Sequence, residues 1–349
     1  MKQHRVLIGD CIESMRTLKD QSVNTCVTSP PYYGLRDYGM ADQIGLEETP
    51  AEFVGRLVEV FREVRRVLRN DGTIWVNMGD SYANGGRTTR GVDEKLEART
   101  MSVLPRDPTG IKPKDLMGIP WRLAFALQDD GWYLRQDIIW HKPNPMPEST
   151  RDRCTKSHEY LFLLSKSPRY YYDQDAIKEP LAHSSIKRLA QDIEQQQGSD
   201  RVPGKSNGPM KAVRSKRDDS KREQAIPGQS LGTHRPDREE SAYSLDTRNK
   251  RSMWTVPTQG FKGAHFATFP PDLIRPCILA GAPLGGVVLD PFGGAGTTAV
   301  VAMQEGRKSI LCELNPEYAA MAERRIAAAW LDGAAQMDVF RDTAQHPAA

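Results

Sequence analysis

The chain has 349 residues, 38% of them hydrophobic, which suffices for one large domain or a core with a sizeable insertion and excludes global disorder. Its 48 Lys/Arg against 45 Asp/Glu give a formal net charge of +3, which excludes a ribosomal-type polycation and makes the distribution of charge matter more than its sum. Five scattered cysteines (Cys11, Cys26, Cys154, Cys277, Cys312) form no Cys-x-x-Cys pair, so neither a disulfide framework nor a metal site is expected. The N-terminus shows no secretory h-region, and no apolar run approaches membrane-spanning length. A cytoplasmic location and no membrane partner are therefore expected.

Arg5 to Ile8 is a short strand-like run ending at Gly9-Asp10, and Cys11 to Leu18 spaces Ile12, Met15 and Leu18 as a helix does. Val23 to Val27 reads as a strand that delivers the loop Ser29-Pro30-Pro31-Tyr32. Pro50 to Leu68 places Phe53, Leu57, Val60, Phe61, Val64 and Leu68 on a helical period. Asn70-Asp71-Gly72 is expected to stop it before a buried strand at Thr73 to Met78. Ile119 to Gln128 reads as a helix, and Leu134 to Trp140 and Tyr160 to Leu164 as strands. Two polar segments interrupt the pattern, a loop at about 85–113 and a longer stretch at 181–252. Between His183 and Arg251 there are 15 Lys/Arg against 10 Asp/Glu, which fits either a solvated loop or an insertion that contacts a polyanion.

Alternation then returns. Pro271 to Leu279 reads as a helix, Gly286 to Leu289 as a strand and Thr298 to Glu305 as a helix. Lys308 to Cys312 reads as a strand and Pro316 to Trp330 as a helix, with a weakly ordered tail from about Asp332. The chain thus divides into 1–180, 181–252, 253–332 and a tail at 333–349. Strands joined by helical crossovers imply a doubly wound, mostly parallel sheet covered on both faces.

The turn after Val287–Leu289 reads Asp290-Pro291-Phe292-Gly293-Gly294-Ala295-Gly296-Thr297-Thr298. A buried strand ends at a carboxylate, and glycines open a helix whose first N–H groups are free, a geometry suited to nucleotides. No Lys follows the last glycine as a P-loop demands, and the GxGxxG spacing is absent. Taken alone, the segment also reads as a plain tight turn. Glu313 ends the next strand, where an acid can accept from two ribose hydroxyls or serve as a helix N-terminal acid before Asn315-Pro316.

Ser29-Pro30-Pro31-Tyr32 sits where a strand ends, at the sheet edge that binds ligands in such folds. The prolines stiffen the loop and leave carbonyl acceptors, Ser29 adds a hydroxyl, and Tyr32 adds an aromatic face. The loop suits a planar ring bearing an NH₂ group; alone it is also an ordinary proline turn.

Together these segments resemble the amino-methylating DNA methyltransferases that act on cytosine N4 or adenine N6. Ser29 to Tyr32 matches their [DNS]PP[YFW] motif, and Asp290 to Thr298 their cofactor motif. The catalytic motif precedes the glycine loop, an order similar to the permuted β class, whose target-recognition region lies between the two. Here that place belongs to 181–252. His265 to Pro270 resembles the motif at the methionine end of the cofactor, and Ile139 to Pro145 one bordering the base pocket.

The resemblance implies a seven-stranded-type methyltransferase sheet and S-adenosyl-L-methionine as cofactor. The implied cofactor residues are Asp10, Cys11, Thr268, Phe269, Asp290, Pro291, Phe292, Gly293, Gly294, Gly296, Thr297, Thr298 and Glu313. In the permuted order Asp10 falls at the adenine end of the cofactor; it also reads as a helix N-cap.

Ser29, Pro30, Pro31 and Tyr32 are the implied catalytic residues, acting on a base flipped out of double-stranded DNA. Ser29 at the first motif position points to cytosine N4, because adenine enzymes more often carry Asp or Asn there. Adenine N6 stays open, as do an RNA- or protein-modifying relative and a catalytically silent DNA-binding module. Pro276-Cys277 fits a buried structural thiol better than a carbon-methylating nucleophile. A bacterial or phage origin, a cognate restriction endonuclease, and a monomer or homodimer are further expectations.

Overall fold

The computed structural model describes residues 3–35, 40, 42–83, 111–189, 247–259 and 269–345. Thr268, most of the two polar segments and the last four residues lie outside the described residues. The described chain separates into one unit built from both ends, Met1–Ile177 with Arg251–Ala349, and a second, Lys178–Lys250.

The first unit begins with β1 (His4–Ile8), α1 (Cys11–Arg16), β2 (Val23–Thr28), α2 (Pro50–Val67) and β3 (Leu68–Met78). It continues with α3 (Ile119–Asp129), β4 (Tyr133–His141) and β5 (His158–Ser165). In the second unit, β6 (Glu179–Pro180) pairs antiparallel with β7 (Thr247–Arg248), and α4 (His183–Leu189) follows β6. The first unit resumes with β8 (Met253–Thr255), α5 (Pro271–Gly281), β9 (Val287–Asp290), α6 (Thr297–Gln304), β10 (Lys308–Glu313) and α7 (Pro316–Gln345). Among the described residues no helix is long and apolar enough to cross a membrane.

The sheet has eight strands in the order β1-β10-β9-β2-β3-β5-β4-β8, one more than expected. All run parallel except β5, which is antiparallel to β3 and β4. The extra strand, β8, is only three residues long, too short for periodicity to mark; buried Trp254 anchors it beside Trp75.

Strand residues alternate between two cores, as the period of two requires. Cys26, Ile74, Val76 and Phe162 face α1, α2 and α3, whereas Val27, Trp75, Leu161 and Leu163 face the core beneath α5 and α6. Both faces are covered, the arrangement expected of a parallel sheet.

Helix α2 starts with a capping box in which Thr49 accepts from Glu52 N and Glu52 accepts from Thr49 N. Its Phe53, Leu57, Val60, Phe61 and Val64 are wholly buried. Two boundaries differ from expectation. Asn70-Asp71-Gly72 does stop the helix but lies inside β3, because the pairing jumps from Val23↔Leu68 to Thr25↔Thr73 and a bulge absorbs the surplus residues. The backbone at 333–345, expected as a tail, continues α7 to Gln345. Its Ala-rich sequence favours helix despite Gly333.

Parallel strands put their carboxyl ends on one edge of a sheet. Here that edge collects the residues after β1, β2, β3, β4, β9 and β10. Antiparallel β5 brings its first residues, His158 and Glu159, to the same edge.

Candidate active site

A cleft of about 900 Å³ opens at this edge. It is walled by Asp10 and Cys11, by Ser29 to Tyr32, by Phe269, by Asp290 to Ala295, by Thr297 and Thr298, and by Glu313. Segments from both ends of the sequence are thus brought together. Gly296 stands away from the cleft. It caps α6 at φ +79°, and a Cβ there would lie 2.8 Å from Ala322 Cβ, so its glycine is required by helix packing rather than by ligand approach.

Asp290 is 1% exposed, and both oxygens of its carboxylate accept hydrogen bonds from the protein. Oδ1 accepts from Thr28 Oγ1 at 2.6 Å and Phe292 N at 3.1 Å; Oδ2 accepts from Thr298 Oγ1 at 2.7 Å. Burial raises its pKa above the usual carboxylate value, and these bonds oppose the rise. Thr28 immediately precedes Ser29, so Asp290 ties the glycine loop to the proline loop. Arg325 of α7 supports the same loop, donating to Ala295 O and, at 3.2 Å, to Thr297 Oγ1.

Glu313 faces the cleft with capacity to spare. Oε2 accepts from Gly294 N at 2.7 Å and Oε1 from Asn315 N at 2.9 Å. Each carboxylate oxygen accepts about two hydrogen bonds, so one further donor per oxygen can be met, as a vicinal diol supplies. This pair of acceptors fits the ribose hydroxyls of S-adenosylmethionine. Burial raises the Glu313 pKa, opposed by the backbone bonds.

Asp10 caps α1 through Oδ1, which accepts from Ile12 N at 2.9 Å and Glu13 N at 3.0 Å. The cap reading holds, and Oδ2 is not engaged in it. The Cys11 thiol is pushed up to about 12 by burial and by Asp10, so it is a neutral wall residue.

The Tyr32 ring is partly exposed in the cleft, while its hydroxyl end is enclosed. Oη donates to Glu159 Oε2 at 2.6 Å and stands 3.5 Å from Asn77 Oδ1. Burial, then Glu159, push the Tyr32 pKa well above 10. Gly79, just after β3, makes room for the ring: a Cβ there would lie 2.5 Å from Tyr32 Cε2. Lys142 pairs with Glu159 and lies 4.3 Å from the centroid of the Trp140 ring. Trp140 Nε1 in turn donates to Val256 O at 2.8 Å.

Sequence reasoning missed Asn77, Gly79 and Glu159. No local motif marks them, and only the pairing of β3 with β5 sets them behind Tyr32. Lys142 and Trp140 fall within the segment read as bordering the base pocket, and both line the cleft.

A glycine loop and a Ser-Pro-Pro-Tyr loop thus stand together at the carboxyl edge of a doubly wound α/β sheet. The family model described as DNA methylase, of the N6/N4 type, matches residues 23–324. The chain is 47% identical over 318 residues to the Type II methyltransferase M.Cfr9I of Citrobacter freundii, covering 91% of this chain and 86% of that protein. It is 44% identical over 326 residues to M.SmaI of Serratia marcescens, covering 93% and 91%.

Solved structures that share the fold include two methylases. One is the putative DNA modification methylase TTHA0409 of Thermus thermophilus with S-adenosyl-L-methionine, at TM-score 0.53, 22% identity and coverage of 93% and 94%. The other is the cytosine-N4-specific PvuII DNA methyltransferase, at TM-score 0.54, 18% identity and coverage of 93% and 90%. This chain belongs to the N6/N4 DNA methylase family, whose members are S-adenosylmethionine-dependent DNA methyltransferases.

Proposed function

We propose that this protein transfers a methyl group from S-adenosylmethionine to the exocyclic N4 of cytosine in duplex DNA. The observation that carries the choice of base is Ser29 at the head of the acceptor loop, a hydroxyl where adenine enzymes more often hold a carboxylate or amide. When bound, the cofactor supplies an electrophilic sulfonium methyl.

Glu313 would hold its ribose, Asp10 its adenine end, and the Asp290–Thr298 turn and Phe269 the remaining wall. The target base leaves the helix. Tyr32 stacks on it, while the Ser29 hydroxyl and Pro30 carbonyl accept from its NH₂. Those bonds draw the nitrogen toward a nucleophilic, tetrahedral geometry, and most of the acceleration comes from positioning. The proton leaves to solvent after transfer. The Type II names of the relatives support a modification role beside an endonuclease of the same specificity.

The test is product analysis. DNA methylated by the purified protein is digested to nucleosides and separated by mass spectrometry. N4-methylcytosine is expected; N6-methyladenine alone overturns the choice of base. Ser29→Ala is expected to slow turnover. Methylation at the wild-type rate by Tyr32→Ala would remove the stacking role.

A further inference from the structure

Of the large hydrophobic side chains left exposed among the described residues, Met146 alone lines the cleft. It is 78% exposed, so it stands at the cleft mouth rather than inside. Its loop follows β4 and reads Lys142-Pro143-Asn144-Pro145-Met146-Pro147-Glu148. From Lys142 to Pro147 every residue is a proline or precedes one. Proline fixes φ, and the residue before it is confined to extended backbone, so the segment is stiff in itself. It is also anchored. Lys142 pairs with Glu159. Asn144 Nδ2 donates to Thr258 O at 3.1 Å, Asn144 Oδ1 accepts from Thr258 N at 2.9 Å, and Asn144 O accepts from Thr258 Oγ1 at 3.3 Å. Glu148 Oε2 accepts from Arg153 Nη1 at 2.5 Å and from Lys156 N at 3.4 Å. An uncovered thioether is thus held in a fixed place.

We propose that Met146 is a wedge that enters the duplex as the target base leaves it and fills the place the base vacates in the stack. The inference rests on the base extrusion in the proposed function. For a base to reach Ser29 to Tyr32, the duplex must lie across the cleft mouth, where Met146 stands. Extrusion breaks a base pair and the stacking on either side of it, and it leaves a gap between the faces of the neighbouring bases. An apolar side chain pushed between base steps offsets part of that loss. Methionine suits the task, because its chain is unbranched and its sulfur polarisable. A stiff, anchored loop gives up little freedom on entering. Pro145 and Pro147 bring no N–H that the stack would leave unpaired.

Single-turnover methylation by the full-length protein tests this, on a duplex with one target site located by methylation mapping. Met146→Ala is expected to slow methylation of the paired target roughly 10- to 100-fold, because nothing then offsets the unstacking. A mismatched base is easier to extrude. With a mismatch opposite the target, Met146→Ala is therefore expected to fall no more than about threefold below the wild type on that same duplex. Met146→Leu keeps an apolar side chain of similar size and should recover most of the lost rate. The calorimetric affinity of Met146→Ala for S-adenosylmethionine should stay within about two-fold of the wild type, which separates a wedge from a wall of the cofactor site.

A wild-type rate of Met146→Ala on the paired target, or an equal loss on paired and mismatched targets, overturns the proposal. If Met146→Ala does not fold, Met146→Ser is equally short and must show the same dependence on pairing. Finding N6-methyladenine as the wild-type product would change the base assignment but not the contrast between paired and mismatched targets, so the two failures are distinguishable.

Discussion

Gly79 and Glu313 show what single residues decide. A Cβ at Gly79 would meet the Tyr32 ring at 2.5 Å, so Gly79→Ala must displace the ring proposed to stack on the base. Turnover is expected to fall roughly tenfold or more, because small misplacements of reacting groups are costly. The thermal midpoint should fall as well, since a displaced ring loses its hydrogen bond to Glu159, and melting beside single-turnover assays checks both. Glu313 gives a pH dependence. In the role proposed for it the ionised form accepts from the ribose diol, and its folded pKa lies above the ordinary 4.5. Cofactor affinity should therefore be full near neutrality and fall as pH drops through that raised value, above 4.5, in calorimetric titrations. The effect on stability has the opposite sign. In that window the folded state binds more protons than the unfolded chain, so the group's contribution weakens as pH rises.

Between elements, Asp290 is the main tie. It joins the end of β9 to Thr28 of β2 and Thr298 of α6, and Asp290→Ala orphans two buried hydroxyls and one N–H. A loss of roughly 2–4 kcal/mol is expected in urea unfolding, together with weakened cofactor binding. Gly296→Ala meets two separate penalties, a left-handed backbone at φ +79° and a 2.8 Å approach to Ala322. It should cost about 2 kcal/mol, of which Ala322→Gly recovers the contact part but not the backbone part.

Most elements of the large sheet are legible in sequence because their periodicity is local. Helix α2 and strands β5 and β10 show it plainly. The exceptions have non-local causes. The Asn70-Asp71-Gly72 turn is absorbed by a bulge that depends on the partner strand β2, and β8 depends on packing against Trp75. The cofactor motif was legible as a unit, but not the division of labour within it. Gly296 serves helix packing, Asp290 ties β2, β9 and α6 together while lining the cleft, and Glu313 keeps acceptor capacity for a ligand.

At the scale of the molecule, the unit that carries the cleft is built from both ends of the chain, and Lys178–Lys250 forms a unit of its own. Within that second unit, β6 and β7 bring Glu179 and Arg248 opposite each other, so the segment leaves and returns at neighbouring points. Replacing residues 181–246 with a short Gly/Ser linker is expected to preserve cooperative melting and S-adenosylmethionine binding while abolishing site-selective methylation. Calorimetry and methylation mapping measure the two. Cofactor binding lost together with folding would show that the inserted segment is part of the core.

Sequence alone determined the chemistry of the two loops. Each is a contiguous run, and the properties that matter, proline rigidity, carbonyl acceptors, an aromatic face and glycine turns, belong to the residues themselves. It also determined their order along the chain and hence the permuted family likeness. Only the tertiary structure decided how they work together. Thr28 meets Asp290 across 262 positions, and Tyr32 meets Glu159 across 127. Such contacts are set by which strands lie side by side and in what register, and no local period in the sequence encodes that.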